Sequence, residues 1–163
     1  MSIFIELDEL ESEYLTLVND DFNIENGVLK KCYSTDEKIV IPDGVISIAD
    51  DAFEDSHIRE IVFPSTIKSI ERFSFCNSAV SKITLNYGLE VIHDCAFMGC
   101  KNLKEITFPI TLKVIGSKAF SNTGIEKVRL PEDILYVASD CFNDTPFKDF
   151  VRMQIKKIYY DID

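Results

Sequence analysis

Hydrophobic and polar positions alternate along this chain in a pattern that repeats. Ile39-Val40-Ile41-Pro42 returns as Ile61-Val62-Phe63-Pro64, Ile83-Thr84-Leu85-Asn86, Ile106-Thr107-Phe108-Pro109 and Val128-Arg129-Leu130-Pro131, at steps of 22, 22, 23 and 22 residues. Behind each comes an aliphatic pair three apart (Val45/Ile48, Ile67/Ile70, Leu89/Ile92, Leu112/Ile115, Ile134/Val137). A small residue with Phe follows: Ala52-Phe53, Ser74-Phe75, Ala96-Phe97, Ala119-Phe120 and Cys141-Phe142. The extra residue of the third coil falls between Phe97 and Leu103, and Phe150, 22 beyond Val128, predicts a sixth strand. One such coil cannot bury its own apolar residues, so a period of this length requires a stack in which neighbours cover one another.

Within a coil the β-branched triplet alternates with period two and predicts a short strand, which the following proline ends by withholding a ladder donor. In register, successive coils form a parallel sheet. The stretch around Ala52-Phe53 lacks alternation and predicts a turn of helix or 3₁₀ on the opposite side. Asn26-Gly27 between Phe22-Asn23-Ile24-Glu25 and Val28-Leu29 is a two-residue hairpin signal.

The repeat unit typified by Leu103-Lys104-Glu105-Ile106-Thr107-Phe108-Pro109, with Ile115 and Ala119-Phe120 behind it, resembles the BspA-type leucine-rich repeat over roughly residues 39–150. The departures are Asn86 for Pro, and Ser74 and Cys141 for Ala. The resemblance implies an α/β solenoid: a right-handed leucine-rich-repeat stack with a short parallel sheet on one face and helical or 3₁₀ turns on the other. The opening hairpin is similar to one that often caps such arrays. It also implies a non-enzymatic binding scaffold, often cell-surface and adhesive.

The ends of an open stack need covers. Ile3, Leu7, Leu10, Tyr14 and Leu17 fall on one face of a helix, and Phe147, Val151, Ile155, Ile158 and Ile162 are compatible with another. The expected division is an acidic amphipathic N-terminal helix over 1–21, a β-hairpin cap over 22–38, five repeats over 39–150 and a C-terminal cap over 151–163. The first helix either caps the stack or meets a partner or a second copy, giving a homodimer.

Charge sharpens this picture. The 163 residues carry 28 acids against 17 bases, a net −11, which disfavours a nucleic-acid reader. Residues 1–29 hold eight acids and no base, leaving −3 for the remainder, so the repeats are nearly balanced. On the strands, the outward positions Lys38, Glu60, Lys82, Glu105, Lys127 and Asp149 alternate in sign, as do Lys68, Glu90 and Lys113, which reads as a register device. The next outward row, Val40, Val62, Thr84, Thr107 and Arg129, is uncharged until its end. Tyr87 and Ile110 stand beside it just after their strands, where other coils have Asp43, Ser65 and Glu132. An outward aromatic beside an outward aliphatic, rimmed by Arg129, is the nucleus of a protein-binding patch. The candidate partner-binding residues are therefore Thr84, Tyr87, Thr107, Ile110 and Arg129.

Other chemistry is sparse. The two histidines are His57 and His93, and His93-Asp94-Cys95 lacks the through-space arrangement that pairs a nucleophile with its base. Asp50, Asp51, Glu54 and Asp55 read as a solvated face, with a weak cation site as the alternative. No phosphate loop, zinc-spaced motif or nucleophile elbow occurs, so neither catalysis nor a cofactor or metal is expected. Five cysteines without a Cys-x-x-Cys pair, no signal-like start and no apolar run of about 18 residues fit a cytoplasmic protein that does not insert into a membrane. The expected function is capture of a protein partner through the sheet face and its edge. An acidic inhibitor of a basic enzyme such as a nuclease, or an array detached from a cell-surface adhesin, are the alternatives.

Overall fold

The computed structural model describes residues 21–147. The N-terminal helix expected over 1–21, Asp149, the strand at Phe150 and the C-terminal cap lie outside the described residues, apart from Asp21 and Phe147. The elements in order are β1 (Phe22–Glu25), β2 (Val28–Cys32), β3 (Lys38–Val40), β4 (Ser47–Ile48), β5 (Glu60–Val62), β6 (Ser69–Ile70), β7 (Lys82–Thr84), β8 (Val91–Ile92), β9 (Glu105–Thr107), β10 (Val114–Ile115), β11 (Lys127–Arg129) and β12 (Tyr136–Val137). Residues separated by one repeat pair in parallel, Ile39 with Ile61 and Ile61 with Ile83, so the chain is a β-solenoid. Asn26 and Gly27 both have positive φ, and β1 and β2 pair antiparallel across them. The hairpin continues one sheet by pairing β2 with β4.

The core is a ladder of rings. Phe53, Phe75, Phe97, Phe120 and Phe142 stack nearly coplanar at centroid separations of 4.6, 4.9, 5.2 and 5.3 Å. This spacing is close to the roughly 4.8 Å between strands, so side chains and backbones step along the axis together. Phe63 and Phe108 meet the stack edge-on, at 5.9 Å from Phe75 and 5.6 Å from Phe120. Ser74 replaces the usual Ala beneath this stack and is fully buried, its Oγ without a hydrogen-bond partner.

Two expectations need correction. The second member of each aliphatic pair, with the residue before it, builds a second sheet, ordered β1-β2-β4-β6-β8-β10-β12 and parallel except at the β1–β2 hairpin, which the strand triplets alone did not foretell. The turns around each Phe are not helical, and no helix occurs among the described residues, so the α/β assignment gives way to strands and turns. Left-handed residues four apart halt the first four turns: Asp51 and Asp55, Phe73 and Asn77, Cys95 and Gly99, Lys118 and Asn122. Amides that a helix would aim back along itself point to the next coil instead. Phe53 N–H donates to Ser74 O at 2.7 Å, Phe75 to Ala96 at 2.8 Å, Phe97 to Ala119 at 2.7 Å and Phe120 to Cys141 at 2.8 Å. Coil stacking therefore overrides the local helical option.

The charge ladder closes over its first three rungs. Lys38 lies 3.4 Å and Lys82 2.6 Å from the two carboxylate oxygens of Glu60, and Lys68 pairs with Glu90 at 3.1 Å. Beyond these rungs it opens. Lys82 and Glu105 form no ion pair among the described residues, and Lys113 turns instead to the Asp133 carbonyl at 3.2 Å.

Three outcomes test these contacts. Gly88 has φ +124 and a Cβ there would clash with Ser65 O, whereas Gly44, φ +89, has open space. Gly88→Ala should cost at least about 2 kcal/mol and Gly44→Ala about 1 kcal/mol in urea unfolding, the difference being the clash. Removing the stranded hydroxyl by Ser74→Ala should stabilise by about 1 kcal/mol in the same assay. The hydrogen bond from Lys82, followed by Lys38, holds the Glu60 carboxyl below its ordinary 4.5. A depressed carboxyl stabilises above its unfolded value and loses that contribution as pH falls through the folded one. The stability gap between wild type and Glu60→Gln should therefore be constant above pH 4.5 and close below it, as followed by thermal unfolding against pH.

Candidate functional site

A paired turn creates the exposed corner of the molecule. Thr111 of one coil reaches into the glycine turn of the coil before it: its Oγ1 accepts from Gly88 N–H at 3.2 Å and donates to Leu89 O at 2.8 Å. Thr66 makes the same bridge to Gly44 N–H and Val45 O, at 3.2 and 2.8 Å. This clamp sets the turns carrying Tyr87 and Ile110 side by side. Both side chains stand clear of the surface, 69% and 70% exposed. Of the residues singled out from the pattern, Thr84 ends β7, Thr107 ends β9 and Arg129 ends β11, all three exposed. Thr107 and Arg129 are register partners.

Thr84 and Thr107 are not register partners, because the expected sheet is split. It runs as β3-β5-β7 and, separately, β9-β11. The cause is the extra residue of the third coil, inserted just upstream of β9. The second sheet takes up the 23-residue step cleanly, pairing Val91 with Val114, while the first parts. An open cleft of about 490 Å³ lies at the parting, lined by Ser81, Asn102, Lys104, Glu105, Glu126 and Lys127. The irregular step was the sequence signal for it.

The second sheet carries two features that the strand pattern did not single out. Ser47 and Ser69 donate to Glu71 Oε1 at 3.1 and 2.6 Å, and His93 Nε2 lies 3.3 Å from Glu71 Oε2. Further along, Leu135 and Tyr136 are exposed.

His93-Asp94-Cys95 disperses. His93 faces Glu71, while Asp94 accepts from Ser117 N–H at 2.9 Å and from Arg72 at 3.4 Å. Burial first, then the Asp94 carboxylate, pushes the Cys95 thiol up, opposite to an activated nucleophile. Burial raises Cys100 and Cys141 to about 12. No group of three metal-binding side chains forms among the described residues, and no helix there is long and apolar enough to cross a membrane.

The profile of the BspA type leucine rich repeat region matches residues 22–148 in six copies. The chain belongs to the BspA-type leucine-rich repeat family. The matched span begins at the hairpin strand β1 rather than at the first of the five strand triplets. A leucine-rich repeat protein from Bacteroides ovatus is 29% identical, with 74% of this chain and 36% of that one covered and a TM-score of 0.64. This chain thus spans about a third of that protein. Another, from Bacteroides capillosus, is 26% identical, covering 62% and 83% with a TM-score of 0.55. The T. pallidum leucine-rich repeat protein, 18% identical over 85% and 94%, shares the fold at a TM-score of 0.53. No curated protein matches. Leucine-rich repeat arrays of this kind generally serve as protein-interaction modules rather than enzymes.

Proposed function

We propose that this BspA-type array is a non-enzymatic protein-interaction module that docks a partner on the outer face of its strand triplets and on the corner beside them. Thr84, Thr107 and Arg129 form the face, and Tyr87 and Ile110 the anchors. The observation that carries the reading is the adjacent pair at the corner. A tyrosine and an isoleucine held side by side by the Thr111 clamp, each more than two-thirds exposed, put apolar area into water on a rigid support. Such area is the usual centre of a docking patch, and aromatic anchors commonly dominate its energy. The rigid turn lowers the ordering cost of binding.

The test uses partner capture from native lysate on immobilised chain. Tyr87→Ser with Ile110→Ser should leave the fold intact, because both side chains already lie in water, and should weaken capture by at least tenfold, the loss of about 1.4 kcal/mol. Capture should also survive an increase in salt, since apolar contact is not screened. Undiminished capture by the folded double variant would refute the corner as the anchor.

A further inference from the structure

The coils are joined by a recurrent device in which two successive amides converge on one carbonyl oxygen of the preceding coil. In the first sheet, Arg59 and Glu60 N–H share Glu37 O at 2.7 and 2.9 Å, and Ser81 and Lys82 N–H share Arg59 O at 2.9 and 3.0 Å. The second sheet repeats it throughout, for example Lys113 and Val114 N–H on Glu90 O at 2.8 and 3.1 Å. At the split the next pair is Lys104 and Glu105, and the carbonyl due to receive them is that of Ser81. No hydrogen bond joins them, and none connects β7 with β9. The amides of Lys104 and Glu105 thus make no hydrogen bond among the described residues, and both residues line the cleft.

Of the side chains around them, Asn102 Nδ2 donates to Ala79 O and Ser81 Oγ to Arg59 O, both at 3.2 Å, while the charged ones are unpaired. In the first half of the sheet every charge of these two rows is closed: Glu37 with Arg59 at 3.2 Å, and Glu60 with Lys38 and Lys82. Lys104, Glu105, Glu126 and Lys127 enter no ion pair among the described residues, yet all four line the cleft with Ser81 and Asn102. They form a checkerboard, since Glu105 is the register partner of Lys127 and the position before each carries the opposite charge. Convergent backbone N–H groups favour a carboxylate oxygen, and flanking ammonium groups strengthen that preference. The two glutamates then require a cation close by.

We infer that the split sheet binds a short peptide segment of a protein partner that presents a carboxylate next to an ammonium or guanidinium group. The paired amides of Lys104 and Glu105, with the ammonium groups of Lys104 and Lys127, receive the carboxylate; Glu105 and Glu126 receive the cation. The inference rests on the reading of this face as a protein-docking surface and identifies the chemistry that the face selects. The 23-residue step is then a functional device, because it frees a set of groups that a regular coil would consume.

The test is a titration of the ¹⁵N-labelled full chain with a doubly capped lysyl-glutamate dipeptide, with a capped glutaminyl-glutamine dipeptide as neutral control and with glycine. The amide resonances of Lys104 and Glu105 should move with the charged dipeptide, saturating in the millimolar range, and should stay still with the control. Replacing Glu126→Gln and Lys127→Gln together should weaken binding about fivefold, the loss of two exposed ion pairs. Deleting Lys101 restores the 22-residue step and should close the sheet and abolish the shifts. Should that deletion not fold, the double charge variant decides alone. Shifts with glycine only, equal shifts with the neutral control, shifts spread over lysines across the chain, or no shift would each overturn the inference. Capture through Tyr87 and Ile110 is read separately, so either proposal can fail while the other stands.

Discussion

The rest of this structure depends on a match of two lengths. Phenylalanine rings stack face to face at 4.6 to 5.3 Å, and hydrogen-bonded parallel strands lie about 4.8 Å apart. A chain that places one Phe per 22 residues can therefore satisfy its core and its backbone with one translation. That coincidence permits the amides around each Phe to leave their own turn and bond the next coil. It also explains why Phe73, Cys95 and Lys118 tolerate left-handed backbone, at about 1–2 kcal/mol each for residues with a Cβ. The inter-coil hydrogen bonds and buried rings offset that cost.

Because every coil is held by three ladders, the ring stack and the two sheets, a local fault need not spread. The additional residue of the third coil shows how it is absorbed. The ring separation between Phe97 and Phe120, 5.2 Å, is no wider than the 5.3 Å of the next regular step, and the second sheet re-registers without a break. The first sheet yields, since the extra residue enters just ahead of β9. The fault thus appears on the exposed face, where unpaired backbone groups and charges can meet a partner. A solenoid separates stability from recognition in this way: the interior repeats, and the outer positions are free to differ.

Much of the fold could be read from spacing. Period, strand triplets, the core Phe and the hairpin at Asn26-Gly27 all lie in local pattern, and the exposure of Tyr87 and Ile110 followed from aligning them with polar positions in other coils. The helical turns failed for a definite reason. The turns lack alternation, as helices do, and nothing within four residues says that the amides will find acceptors 21 or 22 positions away. The second sheet was hidden because its strands are two residues long, too short to alternate. The charge ladder was half legible. Sign alternation placed Lys38, Glu60 and Lys82 in partnership, but whether Lys82 and Glu105 meet depends on strand separation, which the step of 23 altered.

By itself, the sequence determined the stack: a 22-residue period in apolar positions admits no other way to remove them from water. Tertiary structure alone decided where the stack is imperfect. The parting of β7 from β9, the uncommitted amides of Lys104 and Glu105 and the dispersal of His93, Asp94 and Cys95 are outcomes of how three ladders share one misfit residue. Each ladder has its own stiffness, and which one gives way is settled only when all three are assembled.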